Sequence, residues 1–210
     1  MRQVLFATTN PGKLRELRRL VEGLAIRVVS PAELGRALPE VVEDGSTFEA
    51  NAVKKATALA REAGMTALAD DSGLCVDVLY GLPGIRSARW SEDEAPAARR
   101  DEANNDKLLR ALDGVADELR GAEYRAVLAL ARPDGTVLAK VDGSCRGRIG
   151  HARRGANGFG YDPLFVPEAQ PGPGQRTMAE LSAEEKDAIS HRGEAFRKLR
   201  PILAELAATL

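Results

Sequence analysis

Gln3 to Thr8, QVLFAT, is an apolar run with the length of a buried strand, and it stops at Asn10-Pro11-Gly12, which supplies a helix cap, a first-turn proline and a flexible joint. From Pro11 to about Glu22, Leu14, Leu17, Leu20 and Val21 recur at helical spacing while Arg15, Arg18 and Arg19 face away. A strand, a tight loop and a helix N-terminus in that order constrain the fold more than any other stretch of the chain.

The remaining pattern is read in the same way. A second strand is predicted near Ile26 to Ser30, and Ser46-Thr47-Phe48-Glu49 spells a capping box opening a helix that Gly64 ends. On that helix Phe48, Ala52, Ala56, Leu59 and Ala63 share a core face, yet Asn51 and Lys55, four apart, lie along it. A cation on a core-facing stripe wants an anionic partner. Thr66 to Ala69 reads as a short strand running into Asp70-Asp71-Ser72-Gly73, followed by a strand from Leu74 to Leu79 and a Gly-Leu-Pro-Gly turn at 81–84. Residues 95–112 suit a helix, and Tyr124–Ala131 and Thr136–Val141 are strands of a hairpin across Pro133-Asp134-Gly135. Gly155 to Gly160 leads into Tyr161-Asp162-Pro163 and the apolar run Leu164 to Val166; Pro167 to Gln175 is a loop, and capping boxes at Thr177–Glu180 and Ser182–Glu185 announce C-terminal helices. No repeat or linker divides the chain, so one domain over residues 1–210 is expected.

Composition excludes several classes. With 44% hydrophobic and 29% charged residues in 210, the chain has enough apolar material for a globular core. A formal net charge of −1 argues against a nucleic-acid or membrane binder held by bulk electrostatics. No apolar run reaches the roughly 18 residues of a membrane span, and MRQVLFATTN is too short and polar for a secretory signal, so a cytoplasmic protein is expected. Cys75 and Cys145 build no disulfide framework, and with His151 and His191 they make no plausible zinc site. Any metal should therefore be held by oxygen, as Mg²⁺ or Mn²⁺ is.

Four groups could carry chemistry. Thr8-Thr9-Asn10-Pro11-Gly12-Lys13 brings backbone N–H groups, hydroxyls and a lysine to a helix N-terminus, which attracts phosphate; the same residues also read as a capped helix with a surface lysine. Asp70-Asp71-Ser72-Gly73, with Glu43-Asp44 upstream, reads either as an Asp- and Gly-rich turn or, with Lys13 and Lys55 to hand, as a metal-phosphate site. Gly158-Phe159-Gly160-Tyr161-Asp162-Pro163 offers glycines for close approach and aromatics to stack on a base, or else an aromatic-anchored core turn. Lys186 and Ser190-His191-Arg192-Gly193 sit at a helix junction, where His and Arg are donors to a purine carbonyl or compensate a helix dipole. His151, among Arg148, Arg153 and Arg154, is given only a solvated loop.

Taken in order, TTNPGK, EDGSTFEANAVKKA, ADDSGLCVDVLYGLPGIRSARWS, GFGYDPLF and AELSAEEKDAISHRGEAF closely resemble the inosine triphosphate pyrophosphatase family, the non-standard purine nucleoside triphosphate diphosphatases. The resemblance spans nearly the whole chain. It implies an α/β fold, an elongated mixed β-sheet flanked by helices with two lobes and a central active-site cleft, and a homodimer. It also implies Mg²⁺-dependent hydrolysis of ITP, dITP and XTP to the monophosphate and pyrophosphate. Position by position it assigns Thr8, Thr9, Asn10, Pro11, Gly12 and Lys13 to the triphosphate, Glu43 and Asp71 to the metal, and Asp71 to the proton of the attacking water. Lys55 would bind phosphate and Ser72 contact substrate, while Phe159, Gly160, Tyr161, Asp162, Lys186, His191 and Arg192 would form the base pocket. Donors from His191 and Arg192 would accept a 6-oxo group and reject the 6-amino group of ATP, and a pocket lacking an acceptor for the 2-amino group would disfavour GTP. Trp90, where Tyr is common, and the long loop Pro167 to Arg176 depart from the pattern. Two other readings remain open: a diphosphatase for other modified nucleotides, and a nucleotide-binding regulator or RNA-binding module that holds a triphosphate without cleaving it. A structural interaction protein would leave Asn51 and Lys55 unexplained.

Overall fold

A computed structural model describes residues 1–35, 37–170 and 174–208. Six strands, β1 (Arg2–Phe6), β2 (Ile26–Val29), β3 (Ala67–Val76), β4 (Gly121–Ala131), β5 (Val137–Ile149) and β6 (Phe165–Pro167), form one sheet in the order β2-β1-β3-β4-β5-β6. The sheet is mixed: β1 runs parallel to β2 and β3, and β5 antiparallel to β6. The helices are α1 (Pro11–Leu20), α2 (Phe48–Ala63), α3 (Arg100–Ala111), α4 (Ala183–Ile189) and α5 (His191–Ala208). This is the α/β class the sequence predicts. No helix among the described residues is long and apolar enough to cross a membrane.

The chain divides into two compact units. The first comprises Met1–Asp71, Ala126–Gly143 and Arg192–Leu210, the second Ser72–Arg125 and Ser144–His191. The divisions fall within β3, β4 and β5, each of which gives residues to both units. In the first unit Phe6, Leu17, Leu68, Leu128, Leu130, Phe196 and Leu199 are buried together, with Leu14 and Leu20 packed against them, which is the α1 stripe read from the sequence. A second cluster there is mostly of small side chains, Ala52, Ala56 and Ala60 of α2 with Ala67, Ala69 and Ala129 of the sheet, around Leu5 and Leu59. The second unit buries Leu74, Leu108, Leu112, Tyr124, Ile149, Leu164 and Phe165. Within it the buried Arg120 donates to the backbone oxygens of Leu112, at the C-terminal end of α3, and of Ile149 and Gly150, at the end of β5, at 2.8–2.9 Å.

Several local expectations change in the structure. Asp70-Asp71-Ser72-Gly73 is not a turn between two strands: all four residues lie inside the continuous β3. Of the strand predicted from Leu74 to Leu79, residues 74–76 belong to β3 and Asp77–Leu79 form a short 3₁₀ turn. The cap of α2 is Thr47 rather than Ser46, its Oγ1 accepting from Ala50 N at 3.1 Å, and Gly64 ends the helix in the left-handed region at φ +67° as predicted. The helix expected from 95 starts at Arg100 after a 3₁₀ turn at Ala97–Arg99, because Pro96 holds an extended conformation. The box at Thr177 opens only the turn Met178–Glu180, whereas the box at Ser182 opens α4. Residues 171–173 of the predicted loop lie outside the described residues.

Candidate active site

The first unit gathers the charged residues of α1, α2 and β3. Asn10 caps α1, its Oδ1 accepting from Gly12 N at 2.8 Å and Lys13 N at 3.1 Å, while Thr8 Oγ1 accepts from Asn10 N at 3.1 Å. Two of the amides offered to phosphate by this segment are thus held by the cap itself, which leaves the Lys13 side chain as its cationic group. That side chain pairs with Asp70 Oδ1. Lys55, on the core face of α2, finds the anionic partner its position demands: it pairs with Glu43 and donates to Asp70 O at 3.1 Å.

Asp70 and Asp71 are neighbours in a strand, so their side chains leave opposite faces of the backbone. Their electrostatics diverge. Burial pushes the Asp70 carboxyl up, but the cations of Arg192 and Lys13 outweigh it and hold the group well below the ordinary carboxylate range. Arg192 donates through Nε to Asp70 Oδ2 at 2.7 Å and through Nη1 to Glu16, and these two anions hold its guanidinium charged despite its burial. Asp71 is pushed up to about 6, chiefly by burial, against the opposing pull of Lys13 and Lys55, with Glu43 adding to the rise and the Asn51 side chain lowering it. The two adjacent carboxylates are thus driven apart, Asp70 held as an anion and Asp71 raised toward neutrality.

Oxygen chemistry for a metal is present but sparse. Among the described residues no three Asp, Glu, His or Cys side chains are gathered closely enough to hold an ion by themselves. Asp71 Oδ2 is nonetheless buried without a hydrogen-bond partner among those residues. A buried, unpartnered carboxylate oxygen near two lysines and a second carboxylate fits Mg²⁺, which is commonly held by one or two carboxylates with phosphate oxygens and water completing its shell.

The second unit holds another cluster. Gly158 has φ +77°, and a Cβ there would run into the Asp162 carboxylate, so glycine is required. Asp162 Oδ2 accepts from Phe159 N at 2.9 Å and from Lys186 Nζ at 2.5 Å, and that ammonium lies 5.0 Å from the centre of the Phe159 ring. Tyr161 is buried, donates its hydroxyl to Ser87 O at 2.9 Å and is pushed far above the ordinary phenol range by that burial. His191 stacks on Tyr124, with ring centroids 4.7 Å apart and planes 8° from parallel.

The structure therefore brings together Lys13, Glu43, Lys55, Asp71 and Arg192 in the first unit, and Phe159, Gly160, Tyr161, Asp162 and Lys186 in the second, where His191 lies against Tyr124. Thr9 and Pro11 are exposed, Gly12 is buried under the cap, and Ser72 is half-buried in β3. Several residues were missed by sequence reasoning. Glu16 is buried against Arg192, signalled only by its place beside Leu17 on the α1 core stripe. Asp101, Asn104 and Asn105 of α3 bond the loop at 158–161 or the Ser87 carbonyl. Two consecutive buried asparagines in mid-helix were the available sign. Among the other residues singled out in the sequence, His151 is exposed and meets Asp117 at 2.5 Å, and Trp90 packs against the second unit's core with its carbonyl held by Lys107.

A mixed α/β sheet that sets the Asp71 carboxyl beside Lys13 and Lys55 offers the cations and the proton acceptor that phosphate anhydride chemistry uses. The family model described as the Ham1 family matches residues 4–202, and the chain belongs to that family. It is 65% identical over 227 aligned positions, 97% of each chain, to a dITP/XTP pyrophosphatase of Anaeromyxobacter sp. (strain Fw109-5). It is 50% identical to one of Streptomyces avermitilis, covering 98% of this chain and 99% of that one. The solved structure of a HAM1 protein from Coxiella burnetii superposes with a TM-score of 0.82 at 38% identity, over 98% of this chain and 100% of that one.

Proposed function

We propose that the protein hydrolyses non-standard purine nucleoside triphosphates, ITP, dITP and XTP, to the monophosphate and pyrophosphate. The observation that carries the chemistry is Asp71, a buried carboxyl poised near pH 6 beside Lys13 and Lys55. The substrate class is supported by the near full-length similarity to dITP/XTP pyrophosphatases.

In this reading Lys13 and Lys55 exchange their carboxylate partners for phosphate oxygens and stabilise the charge that develops on the leaving pyrophosphate. Asp71 takes the proton of the attacking water, as a positioned carboxylate does in general base catalysis. Glu43 and Asp71 would hold Mg²⁺, or Mn²⁺ in its place, which when bound polarises the phosphate and acidifies the water. Asp70 does none of this; fixed as an anion, it holds Arg192 throughout and Lys13 until phosphate takes its place. Ser72 contacts substrate, and Thr8 to Gly12 shape the phosphate-side loop. In the second unit Phe159 supplies a stacking face, Gly160 and Tyr161 the loop backbone, and Asp162, Lys186 and His191 the polar contacts to the base. Arg192 belongs to the expected base set, and its engagement with Asp70 and Glu16 gives it a second, structural task. A homodimer acting in the cytoplasm accords with the resemblance.

The test is pyrophosphate release from ITP, XTP, GTP, ATP and dTTP at equal concentration, with Mg²⁺ and with EDTA. Metal-dependent release from ITP and XTP in preference to the others is expected. Equal release from ATP and GTP would overturn the base assignment, and no release from any would overturn the catalytic one.

A further inference from the structure

Helix α3 grips the loop of the second unit at both peptide groups that flank Gly160. Asp101 Oδ2 accepts from Gly160 N at 2.9 Å, which fixes the peptide after Phe159. Asn105 Nδ2 donates to Gly160 O at 2.8 Å, which fixes the peptide before Tyr161. Asp101 and Asn105 are four apart, hence on one face of the helix, and Asn105 Nδ2 also donates to Asp101 O at 2.6 Å. One residue earlier, the buried Asn104 donates to Ser87 O at 3.1 Å, the same oxygen that receives the Tyr161 hydroxyl.

These contacts look beyond what packing requires. Asparagine is a poor helix former, and two in succession weaken the middle of α3. Asn105 is moreover buried with its Oδ1 lacking a hydrogen-bond partner among the described residues, so its amide is oriented by what its Nδ2 donates to, Asp101 O within the helix and Gly160 O across to the loop. A local cost in α3 that coincides with a bond to the Gly160 carbonyl marks a constraint on the loop.

We infer that Asp101 and Asn105 are positioning residues that set base affinity by holding the Phe159–Gly160–Tyr161 backbone, and that neither touches the substrate. The inference rests on the reading of this loop as the base site. Gly160 has φ +61° and no neighbouring atom within 4 Å of where a Cβ would be, so packing alone does not fix it. Asp162 holds Phe159 from the other side of the loop, so loss of the clamp loosens the Phe159 ring, and the cost of re-ordering it falls on nucleotide affinity rather than on the chemical step.

The experiment compares Asp101→Ala, Asp101→Asn and Asn105→Asp in the full-length protein, each first shown to melt cooperatively. Asn105→Asp keeps the shape and loses the donor; Asp101→Asn keeps an acceptor for Gly160 N and should behave as wild type. Asp101→Ala and Asn105→Asp should raise KM for ITP about tenfold, the loss of one hydrogen bond, with kcat within about threefold. Inhibition by inosine monophosphate should weaken in proportion, while inhibition by inorganic pyrophosphate stays unchanged. The inference is overturned if KM and monophosphate inhibition stay at wild type in both variants, if Asp101→Asn is as impaired as Asp101→Ala, or if pyrophosphate inhibition weakens equally. A Phe159→Ala control separates the two levels. If it too leaves monophosphate inhibition intact, the base-site reading falls and the inference with it; if it alone weakens inhibition, only the clamp falls.

Discussion

Arg192 Nε donates to Asp70 Oδ2 at 2.7 Å, and neither side chain is more than 2% exposed. The same guanidinium reaches Glu16, and Lys13 meets the other oxygen of Asp70, so four charged residues from α1, β3 and α5 neutralise one another inside the first unit. Buried pairs of this kind are costly to break from one side, because the partner left behind stays charged without compensation. Arg192→Ala should therefore destabilise the protein by about 3–5 kcal/mol, read by urea denaturation. Arg192→Lys should recover only part of this, since an ammonium lacks the fork that serves two carboxylates. A loss below about 1 kcal/mol, the worth of an exposed pair, would show the cluster to be solvated.

Asp71 behaves in the opposite sense. Its carboxyl is pushed from 3.8 up to about 6, so in the metal-free protein the neutral form is the better one to bury. The associated stability is complete below the unfolded-state pKa near 4 and is lost as pH rises through about 6. Asp71→Asn should abolish turnover yet make the metal-free protein more stable above pH 7, by up to about 3 kcal/mol. The advantage should vanish at about pH 4. Denaturation of both proteins in EDTA across that range is the check, and a variant less stable than wild type at pH 7 would refute the electrostatic account.

The contrast between these carboxylates shows which parts of the molecule could be read from sequence. Asn10, Gly64 and the Ser182 box act on backbone groups a few residues away, so their signals are local and their structures follow them. The demand of Lys55 for an anion on the core face was also legible, and Glu43 meets it. Asp70-Asp71-Ser72-Gly73 has the composition of a turn, and what keeps it extended is distant: Lys13 from α1, Arg192 from α5 and the pairing of β3 in the sheet. Glu16 and Asp101 look like solvated helix residues until the partner arrives from elsewhere in the chain.

Glycine at 158 gives a sharper comparison. With φ +77° and the Asp162 carboxylate where a Cβ would stand, Gly158→Ala incurs both backbone strain and a clash with the acceptor of Phe159 N and Lys186 Nζ. Gly160→Ala, in open space at φ +61°, incurs the strain alone, about 1–2 kcal/mol. KM for ITP should rise more in the first variant than in the second. Equal effects would mean that Asp162 yields freely and does not fix the loop.

Asn51 links the loop of Glu43 to Asp71. It is fully buried on α2, and its Oδ1 accepts from Gly45 N at 2.8 Å, tying down the loop that carries Glu43. A Cβ on Gly45 would lie 2.6 Å from that same oxygen, so the loop is seated closely on the amide. The Asn51 side chain also lowers the Asp71 carboxyl, which places one residue between the two carboxylates proposed to hold metal. Outer partners of this kind typically govern metal affinity by 10–100-fold. Asn51→Ala should raise the Mg²⁺ concentration for half-maximal pyrophosphate release by about that factor, and saturating Mg²⁺ should restore most of kcat. An unchanged Mg²⁺ requirement with a lowered kcat would instead place Asn51 on the phosphate or the water, and the metal assignment of Glu43 would lose its support.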